Sequence, residues 1–481
     1  MASFSQSEHS PPTTAFDPTA LLFLIVIAAA LAWMAAESSL AALAIVAGAV
    51  APALIYWMSR NSAAAAALLA LAVVTSRLYV EVGASKARPE HIAIGLLVGA
   101  MLLRLAQGYA PGREPPCWMA ADLLLLAYIA LNFFSSAFFS LSSGDTLRWA
   151  AQQTLAILPY FILRMLATDK AGFRRALRIV LLIGSVEAAY AVLCFLSYFL
   201  FQTQFGIAVD QYGDIPGIHG TQYEANILGS TSGAVFLVML ALYLYRRERS
   251  LLVGIAVSFA ATVVSLSRGA LLATGLAAVW LLWQAWRRRQ ISTGSLRAVA
   301  LTLVCICLAL GPLVGPMWVQ RFSEVDTTDI AGDPDARVRM LTTASAFSEI
   351  ADHPIFGNGT ASFQLNFDLQ DIGMTNDDPS VAGWISNSEV RVLHDTGIVG
   401  LGVFFALLLT LWVRGRRILR RAPHPELLGL LAASVLYCVA FQFTEGTMLA
   451  FCWVHVGLLA AAIVLWKDGN AAAGSAQGRA E

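Results

Sequence analysis

Charged side chains are scarce in this chain: 13% of its 481 residues are Asp, Glu, Lys or Arg, while 58% are hydrophobic and the mean hydropathy is +0.68. That balance excludes a soluble α/β protein and places the chain among polytopic membrane proteins. Neither sign of charge is in excess, the formal net charge being zero, and no nucleic-acid partner is expected. Cysteine is also sparse. All six residues, Cys117, Cys194, Cys305, Cys307, Cys438 and Cys452, lie in or beside apolar segments, so neither a disulfide framework nor a Cys-based metal site is expected. Residues 1–18 lack the basic n-region and small-residue cleavage site of a secretory signal and read as a polar cytoplasmic tail.

What the chain has in abundance is apolar runs near the 17 to 25 residues that a membrane span needs. They fall near 19–36, 40–58, 62–75, 91–106, 118–139, 148–166, 177–201, 225–245, 251–267, 269–286, 298–318, 397–413, 427–444 and 448–466. The expected fold is therefore all-α and polytopic, with about 14 transmembrane helices (12 to 14). Basic residues concentrate on the cytoplasmic side of membrane proteins. With the N-terminus inside, the clusters Lys170/Arg174/Arg175, Arg246/Arg247/Arg249, Arg287/Arg288/Arg289 and Arg414/Arg416/Arg417/Arg420/Arg421 all fall in the cytoplasm. The same threading places 76–90, 140–147, 202–224, Arg268, 319–396 and Glu445 on the outer face. The organisation expected is a tail (1–18), a transmembrane region (19–318), a large outer loop (319–396), C-terminal transmembrane helices (397–466) and a disordered cytoplasmic tail (467–481).

The outer loop is the one long polar stretch between apolar ones, with thirteen Asp and Glu against four Arg and no Lys. Asp333 as N-cap and Pro334 in the first turn predict a helix, along which Met340, Ala344, Phe347 and Ile350 recur at helical spacing. A second short helix is predicted from about Ser386, running into the next span at Gly397. Between them stands the turn Gly357-Asn358-Gly359. An N-cap Asp followed by Pro accounts for Asp333-Pro334-Asp335 without a metal, because hard cations need more converging oxygens. Arg268 occupies the abrupt junction Ser267-Arg268-Gly269 of two spans, where a charge is costly unless paired or used. His219 and Glu224 precede the span that begins near Asn226, at an edge where a proton acceptor can sit.

In order along the chain, these features resemble the superfamily of O-antigen ligases and repeat-unit polymerases. Gly220-Thr221 to Asn226 is similar to the family's glycine-and-asparagine entry to a central span, and Ser267-Arg268-Gly269 to its S-R-G junction. Arg339 stands fifteen residues before Pro354, as the family's loop arginine stands before its proline. Asp352-His353-Pro354-Ile355-Phe356-Gly357-Asn358-Gly359 follows the D-H-P-x-x-G-x-G run, and Asn387, Gly397 and Gly400 fit the end of the loop. The resemblance covers roughly residues 215 to 445. It departs at Ser386, where the family usually has a histidine proposed to help the acceptor hydroxyl attack.

The resemblance implies a metal-independent inverting glycosyltransferase of the bacterial inner membrane, with no cofactor and with both termini cytoplasmic. Its donor would be an oligosaccharide on undecaprenyl diphosphate, and its acceptor a lipid-linked repeat unit or lipid A core. The polymerase activity is the favoured expectation, for O-antigen or exopolysaccharide; a ligase is the alternative, and a small-solute transporter a further one. Breaking the anomeric bond puts negative charge on the departing diphosphate, and fixed guanidiniums stabilise such charge where water is excluded. Arg268 and Arg339 are therefore expected catalytic residues, and Glu389, one turn after Ser386, is the candidate base. Substrate contacts are expected from Arg337, His219, Glu224, Asn226, Ser386, Asn387 and His394, with Ser386 also a candidate N-cap.

Overall fold

The computed structural model describes residues 40–82, 85–107, 118–212, 215–289, 291–323, 334–367 and 384–467. Two compact units divide the chain, Met1–Trp57 and Met58–Glu481. In the first, the described residues belong to one helix, α1 (Leu40–Arg60). The second holds α2 (Ser62–Val74), α3 (Pro89–Ala106), α4 (Ala120–Phe138), α5 (Ser143–Leu166), α6 (Lys170–Phe201), α7 (Ala225–Arg246), α8 (Arg249–Val264), α9 (Arg268–Arg287) and α10 (Thr293–Ser323). Two helices of the 319–396 loop follow, α11 (Pro334–Ile350) and α12 (Ser362–Asn366), then α13 (Ser388–Arg421), α14 (Pro425–Ala440) and α15 (Ala450–Lys467).

Each expected apolar run within the described residues is helical; the run at 19–36 lies outside them. Eight of the described helices (α3, α4, α6, α7, α9, α10, α13 and α15) are long and apolar enough to cross a membrane, or nine if the helices meeting at Asn61 form one broken span. The molecule is an all-α polytopic membrane protein. By length and composition the count among the described residues is lower than the apolar runs suggested: one run lies outside them, the two helices meeting at Asn61 make at most one span, and three further helices fall short. α8 and α14 have 16 residues each, about 24 Å of helix against a hydrocarbon core of about 30 Å. α5 carries Asp145, Arg148, Gln152, Gln153 and Arg164 along its length.

α7 is almost wholly enclosed, packed between α8, α9 and α14. Small residues permit this: a Cβ on Gly233 would strike Thr274 of α9 and Leu436 of α14, and one on Gly429 of α14 would lie 2.8 Å from Val238 Cα. Short hairpins, absent from the all-α expectation, fill two connections. β1 (Val80–Val82) pairs antiparallel with β2 (Ser85–Ala87), and β3 (Ile207–Tyr212) with β4 (Ile215–Ile218), with Ile207 opposite Ile218.

The described residues 354–359 are joined to the start of α13 by a backbone lock. α13 is, as expected, a short helix that runs into the next span at Gly397, where it breaks: the φ of 66° and ψ of −170° there are open to glycine and little else. The break frees backbone groups, and the turn at 354–359 takes them. Ile398 N–H donates to the Pro354 carbonyl (2.9 Å), Asn358 N–H to that of His394 (2.8 Å), and Gly359 N–H to that of Asp395 (3.1 Å). A Cβ on Gly397 would overlap the Ile355 carbonyl, and one on Gly357 (φ 78°) the backbone of Asp395 and Thr396. α4 braces the lock: Ser135 Oγ donates to the Asp395 carbonyl (2.7 Å), and Thr360 Oγ1 to Asn132 Oδ1 (2.9 Å).

α11 packs on α13 by a different face from the one its apolar spacing suggested. Of Met340, Ala344, Phe347 and Ile350 only Ile350 is buried; the inward stripe is Thr342, Ala346 and Ile350. The i, i+4, i+8 spacing of that stripe is equally helical, and the small side chains at Thr342 and Ala346 allow close approach. Gly397→Ala is expected to lose about 1–3 kcal/mol from the backbone conformation alone and more from the overlap. Gly402→Ala, where nothing lies within 4 Å of the added Cβ, is expected to be neutral. Thermal unfolding of the two purified variants checks this, and equal stability would show that the lock is dispensable.

Candidate functional site

Three parts of the chain meet on the connection between α14 and α15. Asn387 caps α13, its Oδ1 accepting from Val390 N–H at 2.9 Å, the residue type and geometry an N-cap requires. Its Nδ2 donates to Gln442 Oε1 (3.0 Å), and Gln442 Nε2 donates to Glu389 Oε1 (2.8 Å). The second oxygen of Glu389 is buried and makes no hydrogen bond. Ser386 sits one residue before the cap, half-buried; Asn387 and not Ser386 does the capping, because the helix starts at Ser388. Ser388 ties the connection down further, its N–H donating to the Phe441 carbonyl (3.0 Å) and its Oγ accepting from Gly446 N–H (2.9 Å).

Phe443, next to Gln442, is reached from two more directions. Its carbonyl accepts a hydrogen bond from Arg339 Nη1 of α11, and its ring lies 3.1 Å from where a Cβ on Gly269 would stand. Arg268, the first residue of α9, donates from Nη1 to the Arg321 carbonyl (3.1 Å). Ser267 caps α9, accepting from Ala270 N–H (3.2 Å), and donates to Asn226 Oδ1 (2.7 Å). Asn226 therefore joins the start of α7 to the arginine junction. Arg268, Arg339, Asn226, Asn387 and Glu389 are thus gathered around residues 441–446 and the α9 N-terminus, with two guanidiniums and one carboxylate among them.

Behind this surface runs a chain of alternating charges. Arg391, only 2% exposed, places Nη1 3.3 Å from Glu445 Oε2 and Nε 3.4 Å from Asp395 Oδ2, with its guanidinium 4.9 Å from the Trp384 ring centroid. Asp395 Oδ2 also accepts from Ala361 N–H (3.0 Å), and Oδ1 faces His394 Nδ1 (3.1 Å). His394 Nε2 meets Glu349 Oε2 of α11 at 3.0 Å. With a carboxylate at each nitrogen the imidazole satisfies both only by donating from both. Its side chain is fully buried, so His394 joins α11 to α13 and has no face toward a substrate.

The remaining expected residues stand apart. Arg337 is exposed on α11. Glu224 is exposed at the α7 N-cap position without a side-chain capping bond. His219 is buried where its N–H donates to the Gly206 carbonyl (3.0 Å); burial and then the charge of Arg77 hold its imidazole down to about 4, and its Nδ1 makes no hydrogen bond. Glu187, within α6, accepts from Thr221 N–H (2.8 Å) and Oγ1 (2.7 Å) and so anchors the loop before α7.

Sequence reasoning passed over Arg391, Asp395, Gln442 and Phe443. The i, i+4 spacing of Arg391 and Asp395 was a signal for an ion pair on one helix face. Gln442 and Phe443 carry none, since a backbone carbonyl and a neutral amide have no motif.

Among the described residues no three His, Cys, Asp or Glu side chains converge as a metal site requires; Asp333 lies outside those residues. Residues 253–405 match the family model described as O-antigen ligase, a region that runs from α8 to the first turns of α13 beyond the break and holds Arg268, Arg339, the 352–359 turn and Asn387. No curated protein matches the chain. Over residues 253–405 this membrane protein is thus similar to the O-antigen ligase family.

Proposed function

We propose that this protein polymerises polysaccharide repeat units, of O-antigen or exopolysaccharide, from an undecaprenyl diphosphate-linked donor at the periplasmic face of the bacterial inner membrane. The observation that carries the reading is the meeting of Arg339, Asn387 and Glu389 around residues 441–446, with Arg268 beside them at the α9 N-terminus, whose Gly269 adjoins Phe443, within or beside the matched region. In the reaction the acceptor hydroxyl attacks the anomeric carbon in line with the leaving group. The carbon–oxygen bond to the diphosphate breaks with inversion, and the hydroxyl proton passes to a base. The diphosphate departs on its lipid with added charge. Arg268 and Arg339 meet that charge with bidentate guanidinium forks. Glu389, with one oxygen held by Gln442 and the other without a hydrogen bond, is the base in this reading and supplies what the family's histidine does at the position of Ser386.

The sidedness of the arginine clusters supports a periplasmic 319–396 loop with both termini inside. The exposed Met340 and Phe347 of α11 suit a helix lying at the lipid surface beside a lipid-linked substrate. A transporter has less support, because charges left unpaired at mid-span are the mark of that class and Glu187 is committed to Thr221. The deciding experiment incubates purified protein with a lipid-diphosphate-linked repeat unit and sizes the glycan. A ladder is expected; a single transfer to lipid A core would assign the ligase activity instead, and no product from folded protein would remove the enzyme reading.

Three outcomes follow within that assay. Chelator is expected to leave the ladder unchanged, since arginine supplies the positive charge; loss restored by a divalent ion would overturn this. Arg268→Ala and Arg339→Ala are each expected to abolish transfer with normal insertion, and Arg→Lys to restore it in part, because the fork is lost. Full activity of Arg339→Ala would remove the clamp. Glu389→Gln is expected to slow transfer by about 10² to 10⁴ with donor affinity unchanged, while Ser386→Ala stays active. A wild-type rate and pH profile for Glu389→Gln would exclude it as the base.

A further inference from the structure

At the opposite end of the bundle, where α6 and α8 begin and α7 ends, an open groove of about 400 Å³ runs between these three helices. Its volume falls within the roughly 300–1,000 Å³ of pockets that hold small molecules. Its walls and its mouth differ in chemistry. The walls include Leu182, Val186 and Val253, each more than 60% exposed, so apolar surface on two helices faces outward along the groove. The mouth carries Arg174, Arg178 and Arg246. Glu426, buried at the start of α14, accepts from Arg174 Nε at 3.0 Å and is also bonded by Arg246. Glu248 lies 4.0 Å from Arg246 Nη1. Three guanidiniums therefore face two carboxylates, and Arg178 stands exposed beside them.

We propose that this groove binds an anionic phospholipid, whose phosphate meets Arg178 and the outer edge of Arg174 while an acyl chain lies against Leu182, Val186 and Val253. A phosphate supplies the negative charge that completes the mouth, and guanidinium is the side chain best shaped for it. Water or a zwitterionic headgroup leaves the excess positive charge without a counter-charge. The inference is independent of the transfer chemistry, since none of these residues belongs to the site around 441–446.

Purified full-length protein in detergent, titrated with phosphatidylglycerol or with phosphatidylcholine of the same chains and read by native mass spectrometry, tests it. Phosphatidylglycerol is expected to be retained in preference to phosphatidylcholine. Arg178→Gln, which removes the exposed cation, is expected to weaken phosphatidylglycerol binding about fivefold and leave phosphatidylcholine unaffected. Val253→Trp, which fills the groove from an exposed position, is expected to weaken it as much with the cations intact. Equal retention of the two lipids by the wild type, or phosphatidylglycerol binding unchanged in both variants, would overturn the proposal.

Discussion

The site depends on one constraint, the backbone lock between the 354–359 turn and the break in α13. A helix interrupted in its first third leaves carbonyl and amide groups without intrahelical partners, and such groups near a membrane are costly unless something pairs with them. The turn supplies the pairing, and in doing so it fixes α11 above the start of α13 by way of Asn358, whose Nδ2 donates to the Glu349 carbonyl at 3.0 Å. Arg339 thereby comes within reach of Phe443, although 104 residues separate the two. Gly357 of the D-H-P-x-x-G-x-G run and Gly397 are thus backbone parts of the lock, since a side chain at either would occupy the partner's backbone.

The charge chain from Glu445 through Arg391, Asp395 and His394 to Glu349 works beside the lock, in side chains. Buried ion pairs add little net stability, because desolvation offsets most of the attraction; removing one member nevertheless costs about 3–5 kcal/mol, since its partner stays buried and unpaired. Such a chain is a poor source of stability and a good one of specificity. It admits one register of α11 against α13 and the connection at 445, and so keeps the cations and Glu389 at fixed separations. Preorganisation of this kind lets a guanidinium act on developing charge without reorganising as it forms.

The sequence by itself determined that this is a membrane protein built of helices, because scarce charge and long apolar runs admit no other class. It also marked the 319–396 loop as the expected functional segment, with Arg339, the glycine turn and Asn387 along it and Arg268 at the junction of two spans, through local patterns of charge, capping and turn residues. Tertiary structure decided what local pattern does not encode. Short α8 and α14 and the polar α5 lowered the number of clear spans, since an apolar run does not state its helical length. The face by which α11 packs was chosen by its partner, and so Ala346 went inward while Phe347 stayed out. Arg391, Gln442 and Phe443 acquired their places only when segments far apart in the chain met, because a buried pair or a carbonyl acceptor is defined by what stands opposite it and not by its neighbours in sequence.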